Sequence, residues 1–194
     1  MKLSTDFYTR DDTLAIARQL LGKTLCSSID GEYCSGIICE TEAYLGANDK
    51  ASHAHRNRFT ERTKIMYAGG GVAYVYLCYG IHHLFNVVSG KAGDPQAVLI
   101  RGIFPLEGKE VMLQRRNQVK IKLKDFIGPG KVSQALGITK LQNGLSLTEN
   151  QIWIEDQGIK VESSKIISSP RIGIDYAEED AALPYRFQYF DWNF

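Results

Sequence analysis

The sequence predicts a single α+β domain over residues 1–194, a mostly antiparallel sheet with helices at its periphery. Three observations carry this. The length suits one domain. With 44% of residues apolar the chain can bury a real core, hiding about 70% of its unfolded surface. Short strand-like runs outnumber helical patterns, and two of them flank Asp30-Gly31, a strong hairpin signal.

Taken in order, residues 10 to 21 predict an amphipathic helix. Thr9 or Asp11 can cap it, Leu14, Ala17 and Leu21 fall at helical spacing, and Gly22 stops it. Lys23 to Ile29 and Tyr33 to Tyr44 predict a hairpin. Along the second strand Ile38, Glu40, Glu42 and Tyr44 share a face, because side chains alternate. Two carboxylates beside a Tyr suit a site better than a core. Residues 46 to 66 predict a polar connection long enough to carry function. After the turn Gly69-Gly70-Gly71, Val72 to Tyr79 predicts a strand in which Tyr74 and Tyr76 share a face. Tyr79 falls at its end, where Gly80 permits a sharp turn.

Further on, Ala97 to Ile103 predicts a strand, separated by Pro105 from a helix around Gly108 to Gln118. Gly128-Pro-Gly-Lys131 leads into a short helix, Val132 to Leu136. Its spacing is wrong for a nucleotide-triphosphate loop, though a helix start can hold one backbone phosphate. Residues 145 to 154 predict a strand pair and Arg171 to Ile174 a short strand. The aromatic tail from Pro184 to Phe194 is expected to dock on the core. No repeat, linker or low-complexity tract is visible.

Composition narrows the functional classes. There are 23 Lys+Arg against 22 Asp+Glu, so no strong overall basic field advertises nucleic acid. Local clusters remain: His55, Arg56, Arg58, Arg62 and Lys64, then Arg115, Arg116, Lys120, Lys122 and Lys124, each read either as a solvated face or as a contact patch. The four cysteines form no CxxC pair, which speaks against a zinc ribbon or redox motif and for a reduced, cytoplasmic setting. The start, Met1-Lys-Leu-Ser-Thr-Asp-Phe7, has no hydrophobic signal region, and no apolar run approaches spanning length, so no membrane is expected.

The stretch from Cys39 to Asn86 concentrates the chemistry, with four acids and five of the ten tyrosines. Glu40 or Glu42 can serve as a general acid or base, and spacing alone does not choose between them. Either can instead pair with a loop arginine. Tyr44, His53, Tyr74, Tyr76 and Tyr79 can pack a core, or stack on bases and attract a cationic ring. No GxSxG elbow supports a serine nucleophile, and the histidines lack partners at metal-ligand spacing, so neither a metal nor a cofactor is expected.

Glu40-Thr-Glu-Ala-Tyr-Leu-Gly46, Ala51-Ser-His53, Tyr74-Val-Tyr-Leu-Cys-Tyr-Gly80 and Asn86 resemble the signature blocks of the alkyladenine (3-methyladenine) DNA glycosylase family. Leu99-Ile-Arg101, Pro105-Leu-Glu-Gly108, Gly128-Pro-Gly-Lys131 and Arg171-Ile-Gly-Ile174 extend the likeness over most of the chain. The resemblance implies a curved, open barrel-like sheet and a monomeric, monofunctional DNA N-glycosylase. Such an enzyme flips alkylated purines from damaged double-stranded DNA and hydrolyses the N-glycosidic bond without a cofactor. It selects Glu42 as the base that activates water and leaves Glu40 in support. Tyr44, His53 and Tyr76 become the stacking rings and Asn86 the pocket floor. Arg101 lies near the water, and Tyr79 is the wedge.

Arg58, Arg62 and Lys131 are expected to touch DNA. The enzyme would work in the cytoplasm, on the nucleoid in a prokaryote, or in a nucleus. Two positions depart from the family pattern: Thr63 stands for an Asn and Tyr185 for a frequent Trp. No lysine lies within the pocket blocks to form a Schiff base, Lys50 and Lys64 being the nearest. No acid is evident to protonate a neutral leaving base. The rival readings are a non-catalytic tRNA- or DNA-binding module, which gives Glu42 no task, and a free-nucleoside hydrolase, which needs neither wedge nor basic clusters.

Overall fold

The computed structural model describes residues 1–191. Two short helices open the chain, α1 (Thr5–Tyr8) and α2 (Thr13–Leu20), where one was predicted over residues 10–21. Neither proposed cap is used. Asp12 caps α2, its carboxylate accepting from Ala15 N at 2.8 Å. Ile16, Ala17 and Leu20 then turn into the core.

The sheet begins with the predicted hairpin, β1 (Thr24–Ile29) and β2 (Glu32–Tyr44). Asp30 and Gly31 both take positive φ, the conformation this two-residue turn requires. β3 (Ala73–Cys78), β4 (His82–Ser89) and β5 (Gln96–Glu107) follow as an antiparallel meander. Then come α3 (Lys109–Arg115) and α4 (Pro129–Leu136), with Pro129 in the first turn where its missing N–H costs nothing. β6 (Ile152–Glu155), β7 (Ile167–Ser169) and β8 (Arg186–Gln188) complete a curled half-barrel of order β3-β4-β5-β2-β1-β6, with β8 pairing both β2 and β7. The α+β class and the antiparallel, curved sheet are as expected.

β2 holds this sheet together. β5 runs along one side of it, while the other side pairs first with β1 and then, over Glu40–Glu42, with β8. Midway, the β2–β5 register slips between Ile38 and Thr41. The slip corrects the predicted face: Ile38 and Ala43 both lie in the main core, and the Thr41 hydroxyl reaches Ala17 O of α2. Ile38 therefore does not share a face with Glu40, Glu42 and Tyr44. An irregularity in the pairing flips the alternation, as a bulge does.

Other expectations need correction. β4 was not predicted; its residues from Leu84 to Ser89 are buried on both faces, so no alternation marks it. β5 runs through Pro105 instead of ending before it, at a register shift where the missing donor is tolerated. Of residues 145–154 only the end forms a strand, the rest making a single bridge from Ser146 to Val72. Residues 171–174 are not a strand: Gly173 has φ +75 and Ile172 N donates to a side chain. The tail docks through β8, with Phe187 fully buried, worth about 2 kcal/mol. Trp192, Asn193 and Phe194 lie outside the described residues. Among the described residues, no helix is long and apolar enough to cross a membrane.

Candidate functional site

The concave side of the sheet opens into a cavity of about 550 Å³. Its walls bring together residues far apart in sequence: Tyr44 from the end of β2, His53 and Arg62 from the long connection, and Tyr74 and Tyr76 from β3. Asn86 of β4 and Arg101 of β5 join them, with Lys131 of α4 at the rim. Alternation explains the selection. In β3, Ala73 and Val75 enter the core while Tyr74 and Tyr76 face the cavity, and in β4 Phe85 and Val87 enter the core while Leu84 and Asn86 face it.

The rings form one cluster. His53 meets Tyr76 edge-on at 4.7 Å and Tyr74 at 6.1 Å, and Tyr74 and Tyr76 lie 5.4 Å apart. His53 shares a 2.8 Å hydrogen bond with the Tyr74 hydroxyl through Nδ1, and Arg62 Nη2 donates to its Nε2 at 3.2 Å. That donation requires a bare Nε2, so Nδ1 carries the proton. Burial above all, then the charges of Arg62 and Arg58, lower the His53 pKa to about 4 and keep the ring neutral. The Arg62 guanidinium also lies 4.5 Å over the face of Tyr76. Tyr74, noted in the sequence but given no role, belongs to the site.

Glu42 is fully buried and does not itself line the cavity. It stands behind the wall: its Oε2 accepts from Tyr44 Oη at 2.8 Å and its Oε1 from Ile172 N at 2.9 Å, and both donors' residues do line the cavity. Arg101 Nε lies 3.4 Å from Oε1 of both Glu42 and Glu40. Burial is the largest influence on Glu42 and raises its pKa, opposed by Arg101, Ile172 N and Tyr44.

Behind Tyr44 sits a contact that sequence reading missed. Arg171, buried, donates to Ala43 O and pairs with Asp49, its guanidinium 4.8 Å from the Tyr44 ring. In the sequence Arg171 heads a run read as a short strand and as part of the family likeness, with no role given to the arginine itself.

Tyr79 occupies the tip of the β3–β4 hairpin. It is 89% exposed and, with Gly80, adopts positive φ. Asn86 is buried, its amide donating to Tyr74 O and Leu84 O. Arg58 is exposed beside the cavity and does not line it. Thr63, the departure from the family pattern, is buried and closes its own loop through hydrogen bonds to Thr60 and Arg58 O.

One expectation about lysines needs correction. Lys131 lies on the cavity wall, its Nζ donating to Lys124 O, whereas Lys50 and Lys64 are engaged by Glu178 and Glu61. Among the described residues no group of three His, Cys, Asp or Glu side chains is placed to hold a metal ion.

The half-barrel sheet thus carries a cavity lined by aromatic rings, with a buried carboxylate behind its wall and cations at its edge. Comparison makes this particular. Residues 6–192 match the model of the family described as methylpurine-DNA glycosylase. A protein of Chlamydia felis is 51% identical over 187 residues, covering 95% of this chain and 94% of its own. One of Bacillus cereus is 45% identical over 198 residues, covering 97% and 96%. Both carry the provisional name 3-methyladenine DNA glycosylase. The chain belongs to the methylpurine-DNA glycosylase family, a family of DNA-repair glycosylases.

Proposed function

We propose that the protein excises alkylated purines from double-stranded DNA by flipping the damaged nucleotide into the cavity and hydrolysing its N-glycosidic bond with water activated by Glu42. The observation that carries this reading is the link from acid to slot: Glu42 is hydrogen-bonded to Tyr44 and Ile172, two residues of the wall.

The base enters between Tyr44 on one side and His53 with Tyr76 on the other, an arrangement that favours a cationic ring. Arg62 leaves the face of Tyr76 as it does so. Asn86 forms the floor and discriminates among purines. Tyr79, presented at the hairpin tip, fills the gap left in the stack. Glycosylases as a class reach their target atom by such flipping, at a cost of a few kcal/mol. Arg58, Arg62 and Lys131 take DNA phosphates.

A carboxylate has about four lone-pair positions, and the two close donors leave some of them unused; the attacking water reaches one by passing between Tyr44 and Ile172, which stand between Glu42 and the cavity. Glu42 removes a proton from that water, whose oxygen bonds to C1′. The C1′–N bond breaks and its electron pair leaves with the base. A cationic purine thereby departs neutral, so one carboxylate suffices where ordinary glycosides need a second to protonate the leaving oxygen. The buried negative charge also stabilises the oxocarbenium-like sugar. An abasic site remains.

Glu42→Gln tests this directly. Single-turnover release from a methylated duplex should fall roughly 10²- to 10⁴-fold, the usual contribution of a general base. Binding of the same duplex should persist. Undiminished release would refute the mechanism. Parallel assays on single strand and free nucleoside separate a duplex-flipping enzyme from a nucleoside hydrolase.

A further inference from the structure

Glu40 is an acid for which the mechanism has no use. It is 1% exposed, and its Oε2 has no hydrogen-bond partner among the described residues. Its Oε1 faces three donors: Arg186 Nη1 at 3.0 Å, Gln188 Nε2 at 3.3 Å and Arg101 Nε at 3.4 Å. Arg186 and Gln188 come from β8, which pairs with β2 at Glu42 and Glu40 respectively. We infer that Glu40, backed by Arg186, is a positioning residue that holds Arg101 between two carboxylates and so keeps Glu42 free to act as a base.

The distances point this way. A committed arginine–carboxylate bond closes to about 2.7–2.9 Å, whereas Arg101 Nε stands 3.4 Å from each acid. The long hydrogen bond goes to Glu40, and Glu42 keeps only the charge at that distance. Were Glu40 uncharged, Arg101 would close on Glu42, and a base locked in an ion pair holds its lone pairs less available to water. Were Arg186 absent, Glu40 would draw Arg101 to itself and leave Glu42 less compensated.

The charged and titratable groups facing Glu42 are few. β5 contributes Arg101, β2 contributes Glu40 and Tyr44, and the segment after β7 contributes Arg171, already paired with Asp49. β8 contributes Arg186, which contacts Glu40. The repulsion between Glu40 and Glu42 and the attraction of Arg101 act on Glu42 in opposite senses.

This role for Glu40 rests on Glu42 being the base, and the test separates the two claims. The pH dependence of single-turnover release from a methylated duplex is measured for the wild type, Glu40→Gln and Arg186→Met, with Glu42→Gln alongside. Release by a base rises with pH through its pKa. In Glu40→Gln that acidic limb should move down by about one pH unit, the lower end of what a neighbouring opposite charge produces. In Arg186→Met it should move up. A merely structural role would lower the rate without moving the limb in opposite directions. A limb unmoved in either folded variant, or moved the wrong way, overturns the inference even if Glu42→Gln is inactive. Active Glu42→Gln instead overturns the reading beneath it. Arg186 is only partly buried on the short β8, so its variant decides the matter should Glu40→Gln fail to fold.

Discussion

Tyr79 shows most plainly a residue kept at a cost to the fold. A non-glycine side chain at φ +50 with 89% of its surface in water contributes no core burial, and the left-handed conformation costs about 1–2 kcal/mol. Tyr79→Gly should therefore raise the unfolding free energy by about 1 kcal/mol in denaturant titrations. It should also weaken binding to a lesion duplex roughly 5- to 150-fold, the range of one lost base–aromatic stack. Equal affinity would remove the wedge role. Glu42 makes the complementary case. Burial raises its pKa, so for a base that must be ionised the acidic limb of activity should lie above the ordinary carboxylate range; a limb near pH 4 would show that burial does not govern it. Residue types were readable from sequence; their assignment was only partly so. Two acids two apart looked equivalent, and only the family resemblance preferred Glu42. The bonds that separate them, from Tyr44 and Ile172 to Glu42 and from Arg186 and Gln188 to Glu40, come mainly from segments more than a hundred residues away.

At the scale of elements, the hairpin β1–β2, the strand β3 and the short helix α4 were legible because each carries local punctuation: Asp30-Gly31, Gly69-Gly70-Gly71, Pro129. What was not legible depends on partners. β4 hides because both its faces are covered, and the flip of side-chain parity within β2 arises from its pairing with β5. The run 171–174 looks extended, yet its backbone serves the carboxylate and its arginine clamps the end of β2 to the loop at Asp49. Arg171→Met tests that clamp. It leaves Asp49, itself 3% exposed, without its cation. Breaking a buried pair in this way costs about 3–5 kcal/mol, to be read as a lower denaturant midpoint. Catalysis in the surviving folded fraction should fall as well, because Tyr44 loses the support behind its ring. A loss of less than about 1 kcal/mol would mean that the loop is held by other contacts.

For the molecule as a whole, a formal charge of +1 gives no general attraction to DNA, so affinity must come from where the cations are placed. Arg58, Arg62 and Lys131 edge the cavity or line it. The second basic run divides in two. Arg115 spends its guanidinium on Ala135 O and Ile29 O, and Arg116 on Gln134, so these two brace α3 against its neighbours. Lys120, Lys122 and Lys124 are exposed, and the Lys124 carbonyl accepts the Nζ of Lys131, which puts that segment beside the same rim. On the proposed binding mode six phosphate contacts are available, three from each group. Each contributes about −0.9 to the slope of log affinity against log salt concentration, so Glu42→Gln bound to a lesion duplex should show a slope of roughly −5. Replacing Lys120, Lys122 and Lys124 with Gln should bring it to roughly −3 without altering the unfolding midpoint. If the slope stays the same after that replacement, the lysine segment is only a solvated face and makes no phosphate contact.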